Sequence, residues 1–348
     1  MSFVASVRIK RMFTPLPPVW GLNIEADCSN QTLCEKENMN TYDWNAKDYE
    51  RNSQAQQEWA RELIANLSLK GREDVLDLGC GDGKVTAEIA RSVGDGSVVG
   101  IDNSSQMIDL AKEKYPQDSY FNLSFQAMDA GDLSFEGCFD VVFSNAVLHW
   151  VKDHKPVIDG LYKSLRAGGK ILLRMGGQGD AEGIISAIND VKASNQWAQY
   201  FTEFEFPYNF AGIDETQVLL KESGFSINRV ELIPKDMTHD GKSGLEGWIR
   251  TTWLPYTERI PKEKREAFIE AVASSYLDKV PLGADGKAHV AMVLIEVEAE
   301  KNHIAGGPVR RQADLKANAW AHSVFHNYST PVKAYQSAIR NNKVRLPR

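Results

Sequence analysis

The chain has 348 residues, 43% hydrophobic and 25% charged, the balance of a globular protein rather than a fibrous or low-complexity one. No apolar run reaches the length of a membrane span, so no membrane association is expected. The net charge of −7 is uneven: residues 39–301 hold 28 Lys/Arg against 42 Asp/Glu, a net of −14, and such a core repels phosphate backbones, so no nucleic-acid partner is expected.

Residues 1–38 differ in character from the rest of the chain. Arg8, Lys10 and Arg11 precede any acid, and Pro15, Pro17 and Pro18 interrupt any helix, so this N-terminal extension reads either as a disordered start or as an organelle-targeting segment. Met39 opens a stretch that reads as a natural beginning. Tyr42, Trp44 and Tyr49 then form an irregular aromatic lead-in, which either lids a ligand or packs the N-terminal end onto the domain. Ala55, Trp59, Leu63 and Leu67 recur at four-residue spacing and predict a helix with one core face.

Val75 to Leu78 predict the end of a buried strand, and Gly79, Gly81 and Gly83 make a turn that side chains would obstruct. Next comes a helix over 84–93, with Val85, Ile89 and Val93 on one face. Strand 97–101 ends at Asp102, and helix 105–114 is capped by Ser104 or Ser105. Strand 123–127 leads to Asp129 and Ala130, and strand 139–144 leads into Asn145 and His149. Helix 157–165, stopped by Gly168 and Gly169, precedes strand 170–174. This alternation predicts an α/β fold, a doubly wound, mostly parallel sheet. Its ligand crevice lies beyond the carboxyl ends of the strands, where Asp77, Asp102, Asp129 and Asn145 fall.

Past Gly177 the pattern gives helices over 182–194 and 215–223 and strands over 226–233 and 289–297. Between those strands lies an aromatic-rich helical insertion, 244–277, that would cap the crevice or form a substrate pocket. Residues 302–348 form a basic C-terminal extension, either solvated or bound to a polyanion. Cys28, Cys34, Cys80 and Cys138 are scattered without metal-ligand spacing, so reduced thiols in a cytoplasmic protein and no metal site are expected.

The glycine turn departs from the dinucleotide pattern G-x-G-x-x-G, because Lys84 holds its last position. Asp77 beside a pyrophosphate would also be repulsive. A phosphate-free ligand with an ammonium group suits the turn better, and S-adenosylmethionine is such a ligand. Asp102 would then accept from the ribose hydroxyls and Asp129 from the adenine amino group, with Ala130 N–H beside the ring and Asn103 and Met107 flanking the adenosine.

Four stretches, Asp77-Leu-Gly-Cys-Gly-Asp-Gly83, Gly100-Ile-Asp102 with Met107, Asp140-Val-Val-Phe-Ser-Asn145 and Leu165-Arg-Ala-Gly-Gly-Lys170, resemble the motifs of class I S-adenosylmethionine-dependent methyltransferases. That resemblance implies a seven-stranded sheet whose last strand is antiparallel. More narrowly, Asp43-Trp44-Asn45, Asn145 to Trp150, and the insertion with Trp248 and Trp253-Leu-Pro255 are similar to trans-aconitate methyltransferases over 42–301. It implies a methyltransferase domain over 39–301, with its helical cap at about 244–280 and the extensions outside it. One departure is His149, where that family tends to carry glutamine.

The expected activity is methyl transfer to a small-molecule carboxylate by a monomer or weak homodimer. An ionised carboxylate needs no general base but does need positioning, for which Arg174 and Arg250 are the candidates, with Trp44, Tyr49 and Trp248 as pocket walls. For a hydroxyl or amine acceptor, His149 would remove the proton; otherwise it hydrogen-bonds the cofactor or a backbone group. Another acid, an acyl-carrier-bound acid, and a binding protein that lost turnover also stay open.

Overall fold

The computed structural model describes residues 54–302. Both terminal extensions (all but Asn302), the start at Met39 and the lead-in with Trp44 and Tyr49 lie outside the described residues.

Helix α1 (Gln54–Asn66) precedes strand β1 (Asp74–Leu78), helix α2 (Lys84–Ser92), strand β2 (Ser97–Asp102), helix α3 (Ser105–Lys114) and strand β3 (Leu123–Ala127). Strand β4 (Phe139–Asn145) runs through a 3-10 turn (Leu148–Trp150) into helix α4 (His154–Ser164) and strand β5 (Leu165–Gly176). Helices α5 (Glu182–Lys192) and α6 (Ile213–Glu222) come next, then strand β6 (Phe225–His239). The insertion comprises α7 (Gly241–Thr252), α8 (Leu254–Thr257) and α9 (Arg265–Lys279), and strand β7 (Ala288–Lys301) closes the sheet.

The seven strands lie in the order β3-β2-β1-β4-β5-β7-β6. All neighbours are parallel except the β5–β7 and β6–β7 pairs. Successive strand residues face opposite sides, so Val75 packs with Leu63, Ile89 and Phe143 on one face, and Leu76 with Val142, Leu161 and Ile295 on the other. Helices on both faces cover these apolar layers, as the sequence predicts. On α2 the buried face is Thr86, Ala87, Ile89 and Ala90, while Val85 is half-buried, a rotation from the expected stripe.

Strands β6 and β7 run past their expected ends. Residues 294–300 of β7 pair with both β5 and β6, whereas 288–293 pair with β6 alone. Pro234 and Asp236 argue against a central strand, but β6 is an edge strand, where proline's missing N–H costs little. The resulting two-stranded ribbon carries the insertion. Met237, Val290 and Met292 from the ribbon share one core with Trp248, Trp253, Phe268 and Tyr276 from the insertion and with Ile184 and Ile188 of α5.

The glycine turn after β1 is fixed by packing. Gly79 has φ +76°, and a Cβ there would sit 2.1 Å from Val147 Cγ2. Gly79→Ala is expected to lower stability by roughly 2–4 kcal/mol, from backbone strain plus overpacking. Urea unfolding checks this: Gly79→Ala/Val147→Ala should be more stable than the sum of the single losses implies.

Candidate active site

Beyond the carboxyl ends of β1 and β2 the chain ties its turn down with backbone donors. Gly79 N and Cys80 N both donate to the Ile101 carbonyl, at 2.7 and 2.9 Å. Asp102 then bridges the turn and α3, accepting from Gly81 N at 3.0 Å and from Ser104 N at 2.9 Å. Ser104 is the helix cap, its hydroxyl accepting from Met107 N, which leaves Met107 buried and Asn103 exposed beside it. Asp77 is buried, and its carboxylate accepts from Thr86 Oγ1 at 2.7 Å.

Burial pushes the Asp77 carboxyl up to about 7, with the Thr86 bond opposing and the Asp102 charge adding. Burial likewise raises Asp102, against its two backbone bonds. No Lys or Arg pairs with either acid among the described residues. Above Gly81, with φ +53°, a Cβ would meet nothing within 4 Å, whereas Gly79 and Gly83 are demanded by the protein's own side chains. Open space over a turn flanked by two uncompensated carboxylates, Asp77 buried and Asp102 half-buried, fits a cationic ligand with hydroxyl donors and disfavours a pyrophosphate. At the end of β3, Asp129 and Ala130 are half-buried, and Asp129 Oδ1 accepts from Gly131 N at 2.7 Å.

A cavity of about 90 Å³ opens beyond β4 and β5, several times the roughly 10–15 Å³ one water needs. Asn145 and Ala146 form one wall, His149 and Arg174 the floor of the sheet end, and Trp248 and Trp253 the side supplied by the insertion. Ala146 and Ala181, both lining it, are non-glycine residues in the left-handed region, at φ 62° and 48°. Such strain concentrates at functional sites.

His149 Nδ1 accepts from Gly176 N at 3.2 Å, which makes Nε2 the protonated nitrogen. Burial, helped by His154, pulls its pKa down to about 4, so the ring is neutral and its one lone pair is spent on the backbone. The proton-acceptor reading of His149 therefore has no free nitrogen to act with.

Neither arginine is available to an acceptor as the sequence suggests. Arg174 lines the cavity but is 5% exposed, and its guanidinium is committed: Nε and a terminal nitrogen bond Glu296 Oε2 at 2.9 and 2.5 Å, and the other terminal nitrogen bonds the Trp59 carbonyl. Glu296 sits directly opposite on β7, a register that only the sheet creates, and it also binds Arg229. Arg250 is absent from the cavity wall and pairs with Glu266 of α9 at 2.8 and 2.5 Å. It lies two residues from Trp248, hence on the far side of α7, whereas Thr252, four residues on, joins Trp248 in the cavity.

Residues that sequence reasoning misses also line this space. Asp180 is 5% exposed, and burial pushes its carboxyl up to about 7 against bonds from Val293 N and Ala181 N. Gly176 makes room for it, since a Cβ there would meet Asp180 Oδ2 at 2.4 Å. The glycine-rich run Gly176 to Asp180 directly after a strand is a usable signal for it. Tyr208 and Phe210, stacked at 5.5 Å, come from an irregular segment that carries no periodic signal.

A methyltransferase-domain family matches residues 75–169, from β1 into β5. An uncharacterized methyltransferase of Schizosaccharomyces pombe is 32% identical over 196 residues, 55% of this chain and 74% of the relative. The chain belongs to the class I S-adenosylmethionine-dependent methyltransferases, and S-adenosylmethionine is its cofactor. Over a longer span it is 28% identical to a trans-aconitate 2-methyltransferase of Methylobacterium radiotolerans, across 262 residues, 74% of this chain and 98% of the relative. The YcgJ protein structure from Bacillus subtilis shares the fold, with a TM-score of 0.51 at 16% identity over 71% of this chain and 99% of that one.

The raised Asp77 carboxyl gives a pH test. A cation bound nearby favours the ionised form, so below pH 7 binding must expel the proton. Affinity for S-adenosylmethionine is expected to fall as pH drops from 7 to 5.5, by up to about tenfold per unit. Titration calorimetry should show proton release over that window, and Asp77→Asn should abolish both effects. A flat profile in the unaltered protein would detach Asp77 from the cofactor.

Proposed function

We propose that this enzyme transfers the methyl group of S-adenosylmethionine to the carboxylate of a small molecule, an O-methylation of the kind named in its trans-aconitate relatives. The observation that carries the reading is the state of His149: its lone pair is held by Gly176 N–H, and a carboxylate is the acceptor that needs no base. In this reading residues 39–301 form the methyltransferase domain, with the insertion at about 244–280 as its cap.

The cofactor supplies a methyl group already activated on sulfonium. What remains for the protein is to orient the acceptor and exclude water. Asp77 and Asp102 would hold the ammonium and ribose ends beside the Gly79 and Gly81 turn, while Asp129 and Ala130, with Asn103 and Met107, would frame the adenosine. Asn145, which lines the cavity, would stand between it and that crevice, and the aromatic walls would keep solvent from the acceptor.

Asp180 supports a second reading. A buried carboxyl titrating near 7 on the cavity wall can take a proton from a hydroxyl or amine acceptor. The two readings predict opposite pH profiles. With a carboxylate acceptor, ionised Asp180 repels the substrate, so kcat/KM at saturating cofactor rises as pH falls from 8 to 6. With a proton-bearing acceptor it rises with pH instead. In either case Asp180→Asn should flatten the profile, and a panel of acids, alcohols and amines assayed with labelled methyl donor decides between them.

A further inference from the structure

His149 stands where β4 stops short of β5. The last β4 pairing is Asn145 with Arg174, so Gly176, two residues further along β5, has no strand beside it on that side, while β7 pairs with it on the other through Leu294. The Gly176 N–H turns to the His149 side chain instead, whose Nδ1 takes the place of the missing strand carbonyl at 3.2 Å. Two further constraints hold the residue. Its carbonyl accepts from Asn209 N at 2.9 Å, and its ring lies among those of Trp150, Tyr208 and Phe210, with centroids 5.7, 6.1 and 6.1 Å away. Turning the ring away from Gly176 would leave a backbone donor unpaired, so the sheet sets the direction of the opposite nitrogen, Nε2.

That nitrogen carries the proton, because Nδ1 can accept from Gly176 N only as the bare nitrogen of a neutral ring. It bonds no described residue. Nor is it sealed in. Among the described residues the buried side-chain nitrogens with neither a partner nor accessible surface are His239 Nε2, Trp248 Nε1 and Trp253 Nε1, and His149 Nε2 is not one of them. His149 is half-buried and lines the cavity, so its free N–H opens on that space. Among the described residues, none of Asp77, Gly79, Gly81 and Asp102 lines the same cavity, which separates this donor from the glycine turn and assigns it to the acceptor's side.

A ligand there has to bring an electron pair to the N–H. A carboxylate oxygen does so best, since a hydrogen bond to an ionised group is roughly twice as strong as one between neutral groups. A protonated amine brings only further donors. We infer that His149 is a hydrogen-bond donor to the methyl acceptor: its Nε2–H binds one carboxylate oxygen and leaves the other to take the methyl group. This rests on the carboxylate reading above. One C–O bond forms as one C–S bond breaks and no proton is released, so the imidazole keeps its proton throughout and anchors the acid rather than activating it.

The test is methyl transfer by the full-length protein to trans-aconitate, phenylacetate and octanoate, with the acid that reacts best then followed in three variants. His149→Phe loses both ring nitrogens. His149→Asn keeps a group that can accept from Gly176 N but loses the donor at the Nε2 position, and His149→Gln returns an amide N–H close to that position. KM for the acid should rise about tenfold or more in the Phe and Asn variants, with kcat changed far less, and should stay within about threefold of the unaltered value in the Gln variant. Affinity for S-adenosylhomocysteine should hold in all three. An unchanged KM in both the Phe and Asn variants overturns the inference and leaves the carboxylate reading standing. So does a loss confined to S-adenosylhomocysteine affinity, which would aim the N–H at the cofactor. A kcat about a hundredfold lower in the Gln variant at unchanged KM also overturns it, because His149 would then be moving a proton. If no acid is methylated while an alcohol or amine is, the carboxylate reading itself fails and takes the inference with it. Should the variants misfold, nitrogen-15 NMR of the unaltered protein labelled at histidine decides. The inference expects the His149 proton on Nε2 and a shift of that signal when the acid is added to the S-adenosylhomocysteine complex. A proton on Nδ1, or an Nε2 signal unmoved at saturating acid, overturns it.

Discussion

One carboxylate and one carbonyl hold the crevice in shape. The Ile101 carbonyl receives Gly79 N and Cys80 N, and the next residue, Asp102, receives Gly81 N and Ser104 N. The turn after β1 is thereby fastened to the end of β2 by backbone donors, with no side chain needed in the turn itself. The three glycines then serve different ends. Gly79 and Gly83 clear space for Val147 and Phe125, and Gly81 is open to the crevice. Fastening the turn also places half-buried Asp102 beside buried Asp77, two acids whose mutual repulsion a bound cation relieves.

The two ends of the crevice differ in their electrostatics. At the glycine turn, no Lys or Arg among the described residues pairs with Asp77 or Asp102. At the cavity, Arg174 is the one Lys or Arg on the wall among the described residues, and Glu296 neutralises it. A buried ion pair of this kind fixes strand register and packing more than it strengthens the fold, and breaking it from one side is costly because a lone charge remains. Arg174 therefore reads as a strut joining β5, β7 and α1 through Glu296 and the Trp59 carbonyl. In the carboxylate reading, methylation turns the acceptor's anion into a neutral ester. The hydrogen bonds that held it then weaken, which favours release.

The insertion reaches the site because the β6–β7 pair continues past the end of β5. The ribbon formed by 288–293 and its β6 partners carries Met237 and Met292 into the same core as the helices, so the sheet and the cavity wall are one packed body. Helical phase then decides which insertion residues matter. Trp248 and Thr252 share the cavity side of α7, and Arg250 is turned toward Glu266.

By itself the sequence determined the parallel sheet, the strand ends at Asp77, Asp102, Asp129 and Asn145, and the cofactor class. Those features are local: alternating apolar strands, a glycine turn, a capped helix, each legible within a short stretch of chain. Tertiary structure alone decided what each charged side chain does. Arg174 looks free until β7 sets Glu296 opposite it, 122 residues away in the chain, and His149 looks basic until Gly176 N–H takes its lone pair. Nor can residues 180, 208 and 253 be assigned to one cavity before the ribbon and insertion close over β5. The reason is physical: a fold is written in short-range pattern, whereas the availability of a proton, a lone pair or a charge depends on neighbours that only long-range register supplies.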